Sequence, residues 1–158
     1  MSDNRYLRIY LNDHLAGAVA GEELAKRCLK NNQGTDLGVF LARLVGEIRE
    51  DRDALARVMA GVGARRDPVK GPAAWVAEKV GRAKLNGRVR GYSPLSRVLE
   101  LEGLALGVEG KLRAWRSLQS ASVRVPADID LDRLVARAEE ELEELEAHRR
   151  AAAASALR

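Results

Sequence analysis

The chain has 158 residues, of which 46% are hydrophobic, 32% charged and only 4% aromatic, and its formal net charge is +4. A chain of this length is expected to form one domain, since it can bury about 70% of the surface that it exposes when unfolded. A single cysteine, Cys28, excludes an internal disulfide, and no run approaches the roughly 20 apolar residues of a membrane span. The first residues also lack the apolar core of a secretory signal, so we expect a cytoplasmic protein.

The spacing of apolar and small residues predicts two long helices at the start of the chain. Between residues 4 and 30 these residues recur three and four positions apart, which is typical of one face of a helix. Residues 31–34 indicate a short turn, and Thr35 is a favourable N-cap for a second helix that continues to about Val62. Because the turn is so short, we expect an antiparallel helical hairpin over residues 4–63.

A basic connector follows at residues 64–93. The stretch 65–97 holds nine Lys or Arg and two acidic residues, a net charge of +7, which exceeds that of the whole chain. Its apolar residues, Trp75, Val76 and Val80, indicate a short helix that glycines end on the C-terminal side.

The remaining chain, residues 94–157, is predicted to form a second helical hairpin. Ser93 and Pro94 open a third long helix, a loop follows from about residue 120, and Asp130 caps the fourth helix. No alternation typical of strands occurs. These features predict a single all-α domain, an antiparallel four-helix bundle of two helical hairpins with an extra short helix in the connection between helices 2 and 3. The alternative is a looser helical array in which the short helix belongs to the core.

Two polar residues interrupt the apolar faces of the first hairpin. His14 and Asp51 both occupy apolar positions, and antiparallel pairing about the turn places them opposite each other, with Glu47 one helical turn from Asp51. One interpretation is a buried hydrogen-bonded pair that sets the helix register, which we favour. The other is a metal site formed by His14, Glu47 and Asp51, because iron and manganese accept carboxylate and imidazole ligands.

The layout resembles the ferritin-like bundle, which has two antiparallel hairpins, a long link after the second helix and inward carboxylates. The di-metal members of that class use Glu-x-x-His pairs on two helices. This sequence instead contains Glu47-x-x-Glu50 and Glu144-x-x-x-His148. The resemblance therefore implies a ferritin-like protein that has lost the usual di-iron centre or has a different site.

The basic connector is the candidate site for an anion or a partner. Arginine makes forked contacts to phosphates, and a tyrosine can stack on bases. The candidate residues are Arg82, Lys84, Arg88, Arg90, Tyr92 and Arg97. A competing interpretation, which we favour, is that the connector packs on the fourth helix, since residues 128–146 hold nine acidic residues and two arginines.

No catalytic set can be recognised in the sequence. The histidines are His14 and His148, and Cys28 lies about four turns from His14 on the same helix, too far to act with it as a nucleophile. The leading hypothesis is a non-enzymatic binding or scaffold protein with a protein partner or self-association, without a cofactor and without a membrane. The alternatives are a ferritin-like metal or redox protein that binds iron or manganese, and a nucleic-acid or phosphate-ligand binder through residues 65–97, which is not favoured.

Overall fold

The computed structural model describes residues 5–67 and 91–158. These ranges contain four helices and no strand, which confirms the all-α prediction: α1 is Arg5–Asn31, α2 is Asp36–Gly61, α3 is Pro94–Ser120 and α4 is Leu131–Ala156. Each helix ends within about one residue of the position that the sequence indicated. The short helix predicted in the connector falls within residues 68–90, outside the described part of the chain.

Local capping explains why the helix starts could be predicted. The Thr35 hydroxyl accepts a hydrogen bond from the backbone N–H three residues on, and the Asp130 carboxylate does the same at the start of α4. At the start of α3 the side chains of Ser93 and Ser96 each accept from the other's backbone N–H, forming a capping box. Each cap satisfies backbone donors that the helix leaves free and contributes about 1 kcal/mol.

The four helices form a square in which every adjacent pair is antiparallel. Helix α1 packs on α2 and α3, α4 packs on α3 and α2, and no backbone contact crosses either diagonal, α1 to α4 or α2 to α3. Arg27, late in α1, pairs with Glu100, early in α3, and Arg43, early in α2, pairs with Glu144 in α4. Helices α2 and α3 therefore run in the same direction, and the chain between them joins opposite ends of the bundle.

The buried apolar side chains form two clusters, one in each half of the bundle. One contains Phe40, Leu44 and Leu101, and the other contains Leu55 and Trp115. Charged side chains occupy the level between the clusters, where Asp51 and Glu141 are buried. The middle of the bundle is therefore the place where its interior chemistry departs from simple apolar packing.

Candidate functional site

A cluster of charged side chains links three helices at the middle of the bundle. The Lys111 ammonium of α3 donates to Asp51 of α2 and to Glu141 of α4. Arg137 of α4 donates to the other oxygen of Asp51, and to Glu50 at 2.6 Å. We call these five residues, together with Glu47, the waist cluster. Its cations hold together helices α2 and α4, whose backbones make few close contacts of their own.

The carboxylates of the waist cluster outnumber its cations, and this imbalance affects Glu141. Burial raises the pKa of Glu141 to about 7, the ammonium of Lys111 opposes this rise, and the carboxylates of Asp51 and Glu47 add to it. Three buried polar atoms of the cluster, Oε2 of Glu47, Oε1 of Glu141 and Nε of Arg137, have no hydrogen-bond partner among the described residues. The cluster is therefore under electrostatic strain, because buried polar atoms without partners cost stability.

The predicted pairing of His14 with Asp51 does not occur, although Asp51 is buried as expected. Both oxygens of Asp51 instead accept from Lys111 and Arg137, because these long side chains reach the waist from the second hairpin. The half-buried His14 ring lies edge-on to Tyr10, with ring centroids 4.5 Å apart. Burial lowers the pKa of His14, against a smaller opposing effect of Asp13.

The predicted metal ligands are not assembled into a ligand set. Within residues 5–67 and 91–158, no group of three His, Cys, Asp or Glu side chains is placed to hold a metal ion. The nearest cation to Glu47 is Arg43, at 4.0 Å, and the oxygens of Asp51 face cations. A metal site at His14, Glu47 and Asp51 stays a prediction.

A second buried carboxylate, Glu22, joins the two helices of the first hairpin. It accepts hydrogen bonds from Arg49 at 2.7 Å and from Arg52, both on α2, and pairs with Lys26 at 2.7 Å on its own helix. Burial acts to raise the pKa of Glu22, but the bonds from Arg49 and Lys26 outweigh it and lower the pKa to about 2. Glu22 is therefore held ionised as a link between α1 and α2.

The sequence analysis missed Glu22, Lys111 and Glu141, although a signal was present. Each lies three and four positions from apolar residues of its own helix: Ala18 and Ala25 flank Glu22, Val108 and Trp115 flank Lys111, and Ala138 and Leu145 flank Glu141. Such spacing puts a side chain on the inner face of a helix.

Two asparagines, Asn12 of α1 and Asn32 directly after its last residue, hold the two ends of the connector. Asn12 donates to the backbone oxygen of Arg65 at 3.0 Å and accepts from the backbone N–H of Asp67 at 2.9 Å. The buried Asn32 donates to the hydroxyl of Tyr92 at 2.9 Å. These anchors lie 20 residues apart along α1, which corresponds to about 30 Å. Both described ends of the connector are therefore fastened to α1 or to the residue that follows it, and α1 is diagonal to α4.

Of the candidate anion-binding residues, the structure describes Tyr92 and Arg97. The Arg97 guanidinium lies over the Tyr92 ring, 5.9 Å from its centroid. Burial raises the pKa of Tyr92, and the nearby Cys28 and Glu100 contribute to the rise while the bond from Asn32 opposes it. The other four candidates, Arg82, Lys84, Arg88 and Arg90, lie outside the described residues.

The thiol of Cys28 lies buried beside this anchor. Burial raises the pKa of Cys28 to about 12, and the carboxylate of Glu100 adds to the rise. Glu100 itself accepts from Arg27 at 2.8 Å. Because the thiolate is the nucleophilic form, a thiol in this environment is suited to packing.

Five of the nine acidic residues between positions 128 and 146 are paired with cations of α2, α3 and α4. The pairs are Asp128 with Arg57, Glu139 with Arg116, Glu141 with Lys111, Glu144 with Arg43, and Glu146 with Arg149 and Arg150. These cations come from α2, α3 and α4. The hypothesis that the connector packs on α4 gains no support from the described ends of the connector, which lie on α1.

Comparisons with known proteins give no indication of function, so any functional argument must come from the residues of this chain. No protein-family model, no curated protein and no solved structure matches it. The described helices also include none with the combination of length and apolarity that crossing a bilayer requires.

Proposed function

We propose that this protein is a non-enzymatic binding protein of the cytoplasm, in which the four-helix bundle presents the basic connector to an acidic protein partner. The observation that carries the proposal is the fastening of both connector ends to α1 by Asn12 and Asn32. Binding residues are commonly found on loops that a stable scaffold positions. The connection from residue 62 to residue 93 also exceeds the usual length of a link between helices, and such long links are often functional.

The charge distribution supports an external partner for the connector. Four of the seven acidic side chains of α4 are paired with cations of α2, α3 and α4, so these four do not need the positive charge of residues 65–97. The flank that follows α2 carries exposed Arg65 and Arg66 next to the Asn12 anchor. Complementary charge on a partner would steer association and select its binding surface.

A protein partner agrees better with the surface than nucleic acid does. Nucleic-acid binding favours a basic stripe along a face of the protein. The net charge here is only +4, and the fourth helix carries the exposed Glu140 and Glu143. These carboxylates would repel an extended phosphate backbone, whereas a compact acidic protein surface can contact the connector alone.

The state of the reactive side chains supports a non-enzymatic role. The raised pKa of Cys28 disfavours its thiolate, and the two carboxylates most buried at the waist are bound to Lys111. General acid–base and nucleophilic catalysis need groups that can reach a substrate in a suitable protonation state.

Charge reversal with a matched control tests the proposal. The probe is fluorescent poly-glutamate, measured by anisotropy at low and at physiological salt with wild type, the pair Arg82→Glu and Arg88→Glu, and the control pair Arg82→Lys and Arg88→Lys. We expect the wild type and the lysine pair to bind and the glutamate pair to lose binding. If the wild type does not bind poly-glutamate at low salt, the proposal is contradicted. Tighter binding to duplex DNA, with a steep dependence on salt, would favour the nucleic-acid alternative.

A further inference from the structure

The loop between α3 and α4 is ordered by hydrogen bonds of its own backbone. Where α3 ends, the N–H of Val123 donates to the carbonyl oxygen of Leu118 at 3.0 Å, which is the outer bond of a Schellman motif. A second turn follows, closed by the bond from the N–H of Ile129 to the oxygen of Pro126 at 3.0 Å. Two turns therefore define the path of the loop before α4 begins.

Contacts with α2 hold this loop against the bundle. A Cβ atom added at Gly61 would lie 3.1 Å from Cγ of Pro126, so the proline ring lies against the backbone at the end of α2. Arg57 of α2 also pairs with Asp128 of the loop. Among the described residues other than glycine, Ser122 alone has a positive φ, of 50°. Such a strained backbone persists where the surrounding structure holds it, as the contacts with α2 do here.

An open groove with a volume of about 740 Å³ lies between the end of α3, this loop and the start of α4, and we call it the loop groove. Its apolar lining combines the buried Leu118 and Ile129 with the half-buried Val123, Val125 and Leu131. The volume is within the range of ligand sites in proteins, which are mostly apolar with a few polar groups that fix orientation.

Two carboxylates of the loop groove have no cation partner within the described ranges. Asp130 and Asp132 both line the groove and are both exposed. The ion pairs of this region are instead made by Asp128 in the loop and by Glu139 further along α4. The charge of Asp130 and Asp132 is therefore left for a group from outside the described structure.

One oxygen of each carboxylate is used within the protein. Oδ1 of Asp130 accepts from the backbone N–H of Arg133 at 3.0 Å, as the cap of α4, and Oδ1 of Asp132 accepts from the side chain of Gln119 at 2.7 Å. Gln119 also lines the groove, so its amide orients the Asp132 carboxylate there. The exposed cations next to these residues in the sequence, Arg124 and Arg133, do not line the groove. The lining is therefore apolar and carries a net negative charge.

We propose that the loop groove binds a segment of a partner protein in which apolar side chains stand next to lysine or arginine. The apolar side chains cover Val123, Val125 and Leu131, and the cation pairs with Asp130 and Asp132. An open groove suits a chain segment, and a loop that is already held in place lowers the cost of binding. This inference does not depend on the proposed function, which uses the basic connector and an acidic partner.

Fluorescence anisotropy with a labelled peptide of alternating leucine and lysine tests the charged part of this recognition at low and at physiological salt. The change is the pair Asp130→Asn and Asp132→Asn, which removes both charges while asparagine keeps the helix cap. We expect this pair to lose roughly tenfold in affinity, as the loss of two surface ion pairs would give. The matched control is the pair Glu140→Gln and Glu143→Gln, which removes two exposed carboxylates of α4 outside the groove and should change affinity by less than about twofold.

The apolar part of the recognition has its own test. Val125→Thr places a hydroxyl in the groove with little change of shape, and we expect it to weaken binding of the leucine–lysine peptide several-fold. The control is Val39→Thr, at a valine of α2 that is 75% exposed, and it should leave binding unchanged. A peptide of the same charge made of lysine alone should bind the wild type more weakly than the leucine–lysine peptide.

The proposal is overturned if the leucine–lysine peptide does not bind at low salt, if the two carboxylate pairs lose affinity equally, or if the lysine peptide binds equally well. If the double asparagine variant does not fold, as judged by circular dichroism, Asp132→Asn alone is compared with Glu140→Gln. Two other occupants would also refute it. A wild-type dimer that the asparagine pair dissociates would assign the groove to a second copy, and displacement of the peptide by an equal concentration of phenylethylamine would assign it to a small organic cation.

Discussion

The side of the bundle formed by α2 and α4 and the side formed by α1 and α3 are built from opposite chemistry. Ion pairs join α2 to α4, namely Arg43 with Glu144 and Arg137 with Glu50 and Asp51, and Arg57 of α2 pairs with Asp128 in the loop before α4. Helices α1 and α3 approach each other more closely, through small residues, and are joined by the pair of Arg27 with Glu100. Long charged side chains therefore span the wider gap, and the closer pair needs only one such bridge, Arg27 with Glu100.

We infer from this difference that one side of the bundle contributes mainly to stability and the other mainly to recognition. On the α2–α4 side, charged side chains pair within the molecule, and the buried members of the waist cluster, Asp51 and Glu141, lie there. On the α1–α3 side, Gly17, Gly21, Gly107 and Gly110 have open space where a Cβ atom would lie, and the described ends of the connector are held by Asn12 of α1 and by Asn32 just after it. We therefore expect substitutions on the first side to change folding, and substitutions on the second to change what the connector does.

Removing the cation of the waist cluster should have the largest effect. Lys111→Met leaves the buried Asp51 and Glu141 without their shared ammonium, and breaking one partner of a buried pair costs about 3–5 kcal/mol. The control is Arg116→Met, which removes an exposed pair with Glu139 and should cost about 0–1 kcal/mol. Urea denaturation measures both, and equal losses would show that the waist is not the main link between the hairpins.

The pH dependence of stability should follow Glu141. Its pKa in the folded protein is about 7, above the ordinary 4.5, so between these values the folded state holds a proton that the unfolded state has lost. Stability should therefore fall as pH rises from 4.5 to 7, by on the order of 3 kcal/mol. Urea denaturation between pH 5 and 8 should show this fall in wild type and in the exposed control Glu140→Gln.

The variant Glu141→Gln should remove this pH dependence, since glutamine cannot ionise. The other strongly shifted buried carboxylate acts outside this window. The pKa of Glu22 is lowered to about 2, so its contribution is present above pH 4.5 and is lost only as pH falls towards 2. A fall in stability that persists in Glu141→Gln would assign the titration to another group.

The anchor on the α1–α3 side should have a smaller effect than the waist. Asn32→Ala removes a part-buried bond to Tyr92 and a buried 2.7 Å bond to the backbone oxygen of Cys28, and should cost about 1–3 kcal/mol. Its neighbour Asn31 makes an exposed bond to the backbone of Arg27, so Asn31→Ala should change stability by less than about 0.5 kcal/mol. Thermal unfolding of both variants makes the comparison, which similar losses would contradict.

The fold was predictable because its signals are local. Spacings of three and four define the inner faces, and Thr35, Ser93 and Asp130 each start a helix by a bond to a backbone N–H close by in the chain. The inward position of Asp51 could also be predicted from the sequence, since Asp51 is an acidic residue within the apolar stripe of α2.

The partners of Asp51 were not predictable in the same way. A short turn determines which residues face each other within one hairpin, and this led to His14. Lys111 and Arg137 belong to the second hairpin, and how the two hairpins pack depends on contacts that no turn length encodes. A lysine or glutamate on an inner face also resembles a side chain that extends to solvent, which is why Lys111 and Glu141 were missed.

Replacing glycine by alanine should change the free energy of unfolding least. These substitutions test directly how closely α1 and α3 approach each other. Gly46→Ala on the outer face of α2 should raise stability by about 1 kcal/mol, since the added methyl group meets nothing. At Gly103 the same methyl group lies 3.0 Å from Leu24, so repacking should cancel the gain and leave stability unchanged or lower. Chemical denaturation of the two variants gives the difference, and an equal gain would mean that α1 and α3 can separate freely and that small residues are not what joins them.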